Sequence, residues 1–187
     1  MADEIREYRP ADEQAWLRCR VLGFLNTAYY DDVWQSRPAV SGPDLVAVDA
    51  AGAVIGLLTV ELAVPAATID TVVVHPDHRR RGIGSRLLAA ALSLLRPLGV
   101  DTLDAWTRDD PGTLRWYRST GFAEGEHYLH VYANHYENAA EPGRAGSATR
   151  PGLRLINGFF HGSLADEEAL RRDFARVHVC RRFMLRL

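Results

Sequence analysis

The chain has 187 residues, a formal net charge of -2 and two cysteines. That length suits one domain, 1–187, with a substantial core. The near-neutral charge excludes nucleic-acid binding by bulk electrostatics, leaving only a local basic patch open. Cys19 and Cys180 lie too far apart for a zinc pattern or a disulfide framework, and this suits a reducing, cytoplasmic setting. The polar, acidic start MADEIREYRP reads as no signal peptide, and no run of about 18 apolar residues suggests a membrane span.

In chain order, residues 4–9 read as a short strand ended by Pro10. Asp12 is placed to cap a helix running to about Asn26, with Leu17, Val21, Phe24, Leu25 and Ala28 as its buried stripe. Residues 27–37 carry Tyr29, Tyr30, Asp31, Asp32 and Trp34 and are expected to form a loop with a second short helix. Two strands follow, 44–48 and 54–62, joined by a turn in which Gly52 is free to take positive φ. A second turn centres on Pro65.

The most informative stretch is 68–98. Ile69 to Val74 is a β-branched, apolar strand stopped by Pro76. Arg79, Arg80 and Arg81 come next, then Gly82-Ile83-Gly84 and Ser85. Ile83, Leu87, Leu88, Ala91, Leu95 and Leu98 recur at helical spacing. A glycine loop that opens a helix presents free N–H groups and the positive end of the helix dipole. Arginines beside it add full charge, so the junction favours a phosphate or pyrophosphate. A dinucleotide fingerprint would need glycine where Leu87 stands, and a Walker A loop would need a lysine that is absent.

Beyond it, 100–106 reads as a strand, parallel to the one before because a helix joins them. Residues 108–122 form a punctuated helix: Asp110 as cap, Pro111 at its first position, Gly121 as stop, and Leu114 and Tyr117 on one face. Residues 127–132 read as a strand and 133–151 as a loop. Residues 153–161 read as a strand or irregular segment. Ser163 or Asp166 is placed to cap a helix to about Arg176, and 177–187 closes as a strand. The insertion, about 133–175, is long for a compact domain and suggests a lid, a dimer arm or a disordered excursion.

The motif R-x-x-G-x-G, filled by Arg79, Gly82 and Gly84 between a strand and a helix, resembles the acyl-CoA signature of the GNAT acetyltransferase superfamily. The resemblance covers about residues 5–132 and the last strand. It implies a mixed α/β fold with helices on both faces of a sheet that is antiparallel at first and parallel in the middle. It also implies an acetyl-CoA-dependent N-acetyltransferase acting on a primary amine of a small molecule or peptide; charge, hydropathy and histidine spacing read as no nucleic acid, no membrane and no metal, and a homodimer is left open. The alternative it leaves is a GNAT-like sensor that binds acyl-CoA without turnover.

Residue by residue, Val72, Val73 and Val74 match the strand that pairs with the pantetheine arm. Arg80, Arg81, Gly82, Ile83, Gly84 and Ser85 match the pyrophosphate loop. Tyr117 matches the tyrosine near the thioester sulfur, and Asp110 stands where an asparagine usually touches the cofactor. In direct transfer, a base takes a proton from the amine, and an acid returns one to the leaving thiolate. Tyr117 is the candidate acid. Asp70, which interrupts an apolar strand, and Asp104, in the next strand, are the candidate bases. Burial among valines would raise the pKa of Asp70, and both acids are expected to face one cleft. Trp106, Trp116 and Tyr128 are read as core or cleft wall. His75 and His78 lack a third metal ligand, and His127 and His130 should lie on opposite faces of their strand.

Overall fold

A computed structural model describes residues 3–146 and 150–187. Its centre is an eight-stranded sheet in the order β1-β2-β3-β4-β5-β8-β6-β7. The strands are β1 (Glu4–Glu7), β2 (Asp44–Val48), β3 (Val54–Ala63), β4 (Ala66–Val74), β5 (Thr102–Thr107), β6 (Ala123–Asn134), β7 (Asn157–Gly162) and β8 (Arg176–Arg186). The helices are α1 (Glu13–Phe24), α2 (Ile83–Leu95), α3 (Pro111–Ser119), α4 (Glu141–Ala145) and α5 (Glu167–Asp173). β4 and β5 are parallel, as a helical crossover requires, and the other neighbours are antiparallel. No helix among the described residues is long and apolar enough to cross a membrane.

α2 forms where its periodicity predicts. Ile83, Leu87, Leu88, Ala91 and Leu95 are all buried and share one core cluster with Leu114 and Tyr117 of α3 and Phe183 of β8. Leu98 departs from the expected stripe: the helix has already tightened into a 3-10 turn, and this side chain is half exposed. α1 packs on the opposite face, against Val46, Val54, Leu57 and Val73.

Its buried positions are Trp16, Cys19, Arg20 and Gly23, not the expected stripe of Leu17, Val21, Phe24, Leu25 and Ala28. Trp16 and Arg20 win those positions because their bulk is stacked: Arg20 lies 3.4 Å from the centroid of Trp34, itself stacked on Trp16. Asp12 does not cap α1 either. A 3-10 turn, Pro10–Asp12, precedes the helix, so the carboxylate turns back to accept from Arg9 N at 2.8 Å and from both Nη atoms of Arg6.

Residues 27–37 contain turns and no helix. Their two acids are held from outside: Asp31 pairs with Arg176 and Asp32 with Arg20. The insertion extends the sheet, with β7 pairing antiparallel to β6 from Leu129 to Asn134. The segment 153–161, read as a strand or irregular, thus contains a strand from Asn157, while part of the expected loop, 147–149, lies outside the described residues. Fully buried Glu141 ties the two ends of the insertion together, accepting from Asn134 N at 2.9 Å and from Ala175 N at 2.7 Å. Ser163 caps a short turn ahead of α5, while Asp166 makes no capping bond.

Gly23 sets the distance between α1 and β4. A Cβ at this position would drive far inside van der Waals contact with Val73 Cγ1. Gly23→Ala is therefore expected to cost about 1–3 kcal/mol of stability, read as a lowered urea midpoint. Adding Val73→Ala should restore part of the loss; equal stability of Gly23→Ala and the parent would refute the contact.

Candidate active site

β4 and β5 pair over only four positions, Ala66↔Thr102 to Ile69↔Ala105. At the next residue β4 carries a bulge: Thr59 of β3 pairs with Thr71 and Val60 with Ile69, which leaves Asp70 without a partner. Past that point the two strands diverge. Among the described residues, the edge of β4 from Asp70 to Val74 therefore has no partner strand on its β5 side, and its backbone groups face a cleft of about 610 Å³.

The cleft is walled by β4, by the loop into α2, by α3 and by residues 20–34. Val72, Val73, Val74, Arg79, Arg80, Gly82, Ile83, Gly84, Ser85 and Asp110 all line it, as do Tyr117 and Asp70. In the loop, Arg80 and Gly82 both have left-handed backbones, with φ of 62° and 72°. Left-handed residues so close together can turn successive N–H groups toward one point, a geometry that suits an anion at the start of α2. The positive φ also explains why glycine suits position 82.

The three loop arginines do different things. Arg80 is exposed at the cleft. The Arg79 guanidinium donates to Gly23 O at 2.6 Å and, more weakly, to Val74 O, so it ties the end of α1 to the end of β4. Arg81 does not line the cleft; its guanidinium turns away to Asp3 and His78. Asp110 caps α3 through Thr113 N at 2.8 Å, a bond that keeps its carboxylate engaged at the cleft wall.

The Tyr117 ring is buried, stacked on Phe183 at 4.9 Å and met edge-on by Phe122. Burial, with a lesser contribution from neighbouring Tyr29, pushes its phenol well above the ordinary tyrosine range. The hydroxyl is therefore protonated at neutral pH and able to donate. Asp70 departs from expectation: the bulge exposes it, so it is not buried among valines. It accepts from Thr71 Oγ1 at 2.9 Å. Asp104 does not line the cleft; it is buried and ion-paired with Arg182 at 2.6 Å. Trp106 and Trp116 are cleft wall, and Trp116 Nε1 donates to Ser85 Oγ at 3.2 Å.

Tyr29, Asp32 and Trp34, from the aromatic and acidic 27–37 segment, also line the cleft, as do Arg20 and Arg115, which carried no distinct sequence signal. Tyr29 is held there by Arg108, whose backbone N donates to the phenol oxygen at 3.0 Å and whose guanidinium sits 4.1 Å from the ring centroid. Arg108 is buried and also donates to Ala28 O, Tyr132 Oη and His130 Nδ1. No spacing rule would have joined residues 29, 108, 130 and 132.

A family model described as the Acetyltransferase (GNAT) family matches residues 6–122. The chain belongs to that family. The mycothiol acetyltransferase of Clavibacter michiganensis subsp. michiganensis is 36% identical over 81 residues, which is 43% of this chain and 26% of that protein. The chain thus spans about a quarter of that relative. Among solved structures, yncA from Salmonella typhimurium, determined with its cofactor acetyl-CoA, superposes with a TM-score of 0.61 at 17% identity, over 100% of this chain and 95% of that one. The ribosomal-protein-S18-alanine N-acetyltransferase from Escherichia coli gives 0.60 at 15% identity, over 99% and 94%. These likenesses establish the GNAT fold with its mixed sheet.

One buried histidine of this GNAT chain gives a pH test. Burial, then the adjacent Arg108 charge, lowers the His130 pKa from 6.5 to about 4. Below 6.5 the unfolded chain takes up a proton that the folded chain refuses until about pH 4. Stability should therefore fall as pH drops through that window, by on the order of 2 kcal/mol. Urea midpoints at pH 7 and 4.5 should show a smaller drop for His130→Asn than for the parent; an identical drop would refute the assignment.

Proposed function

We propose that this GNAT protein transfers an acetyl group from acetyl-CoA to a primary amine by direct attack on the thioester. The observation that carries this reading is the combination in one cleft of a free strand edge, a loop suited to an anion and a buried, protonated phenol. The chain fits the co-substrate at each end. The loop Arg80 to Ser85, with Arg115 also lining the cleft, suits the diphosphate. The unpaired edge at Val72 to Val74 suits the amides of an extended pantetheine arm, which can add to it as a strand would.

Asp70, at the bulge where the strands part, accepts the proton that the ammonium of the acceptor must lose, directly or through one water. The freed nitrogen pair forms the new C–N bond. Backbone N–H groups near Val73 and Val74 stabilise the oxyanion that develops on the carbonyl oxygen. As the C–S bond breaks, Tyr117 donates its phenolic proton to the departing sulfur. Its raised pKa keeps that proton available over the working range. A role for Asp104 is not part of this reading, because Arg182 already neutralises it. A donor placed for the leaving group favours turnover over a sensor that only binds.

The direct test is release of free thiol from acetyl-CoA in the presence of a panel of primary amines; no release with any amine would sink the reading. Gly84→Asp tests the loop. Its Cβ would meet Trp116 at an ordinary 3.5 Å, so the fold should tolerate it. CoA affinity by calorimetry should nevertheless drop at least about 100-fold, because a carboxylate would face the diphosphate; unchanged affinity places the nucleotide elsewhere. Tyr117→Phe should lower kcat about 100-fold or more while KM for acetyl-CoA moves little; equal kcat removes the acid role. Asp70→Asn should flatten the acid limb of the kcat/KM profile for the amine, and an unaltered profile points to water alone as base.

A further inference from the structure

β5, β8, β6 and β7 carry helices on one face only. α4 and α5 cover Leu129, Val131, Val177 and Val179, on the same side as α2 and α3. On the other side α1 packs on β2, β3 and β4, and the turns after it set Ala28 and Tyr29 against Arg108 and Asp31 against Arg176. What stands on the rest of that face is a row of rings. Trp106 meets Tyr128 at 5.2 Å between centroids, and Tyr128 meets His161 at 4.5 Å. His161 lies 5.5 Å from Phe159, and His130 sits against Tyr128, His161 and Phe159. Trp106 is 38% exposed and Phe159 50%, and His161 is exposed as well.

The row begins at the reaction site. Ile69 pairs with Ala105, so Asp70 and Trp106 are the next residues on the two diverging strands, and both line the cleft. The charges bordering the row are already matched: Arg182 with Asp104 and Glu126, Arg176 with Asp31, and His178 with Asp109. The Arg108 charge is buried under Tyr29 and Tyr132. Among the described residues, a ligand on this face therefore meets π faces and edges between paired charges, with the Asp70 carboxylate at the cleft end of the row.

Resting on the acetyl-transfer reading, we propose that the acceptor is a primary amine borne on a short arm by a flat aromatic or heteroaromatic ring, which lies on the strip of Trp106, Tyr128, His161 and Phe159. The amine reaches back past Trp106 to Asp70. Offset or edge-on contacts between rings supply the preference over a saturated body of the same size. A second copy of the chain fits less well. The strip is narrow and edged by paired charges, whereas a stable interface needs about 800 Å² per partner.

The test compares 2-phenylethylamine, 2-cyclohexylethylamine and butylamine. Binding to the CoA-loaded protein is read by calorimetry, and turnover by thiol release. The aromatic amine should bind and turn over at least about tenfold better than either saturated amine. Phe159→Ala and His161→Ala should each erase most of that preference while leaving CoA affinity and the butylamine rate unchanged. Phe159→Tyr should retain the preference. Equal use of the three amines would overturn the strip but leave acetyl transfer standing. Loss in the alanine variants of a dimer seen by sedimentation would overturn it too, showing an interface between copies. Ring-selective binding that the alanine variants abolish supports the strip even without turnover, and absence of turnover with every amine would then count against the transfer reading alone.

Discussion

The parting of β4 from β5 at Asp70 is the constraint on which the rest of the molecule depends. Two parallel strands that stayed paired would satisfy each other's backbone groups and leave nothing for a ligand. One extra residue in β4 breaks the ladder after Ile69, and the strands separate. Every feature of the cleft follows from this: the free edge of Val72 to Val74, the exposure of Asp70, and the space into which Tyr117 and Trp106 face.

Holding such a wedge open requires support on both faces. Below it, α2 and α3 pack Leu87, Leu114 and Tyr117 into one core. Above it, α1 is locked to β4 by the glycine contact at Val73 and by the Arg79 bridge to Gly23 O. Arginine recurs as the fastener elsewhere. Arg20 holds Asp32, Arg176 holds Asp31, and Arg108 anchors Ala28 and Tyr29, so the turn-rich 27–37 segment becomes a fixed wall of the cleft. The guanidinium suits this work because its planar fork can bond and stack at once.

Much of the local geometry was legible in the chain. The strand–arginine–glycine–helix passage predicted the loop that opens α2 at the cleft, Asp110 and Gly121 bounded α3, and Tyr117 was put on the face of α3 that reaches the cleft. These are local signals, carried by residues close in sequence. What failed were inferences about direction. Arg81 looked equivalent to Arg80 but pairs with Asp3, nearly eighty positions away. Asp104 looked like a partner for Asp70 but faces Arg182 on a strand that arrives last. The stripe of α1 was misplaced because stacking on Trp34 makes an arginine a core residue.

The sequence by itself determined the family, the parallel crossover and the location of the glycine turn that opens α2, because hydrophobic period, capping and glycine placement act within a few residues. Tertiary structure alone decided that the insertion adds a strand to the sheet, and that Tyr29, Arg108 and His130 form one cluster. It alone laid Trp106, Tyr128, His161 and Phe159 in a row. Those arrangements depend on strand order, which places β8 between β5 and β6. Strand order is set by which apolar faces can be buried together, a property of the whole chain that no short stretch encodes.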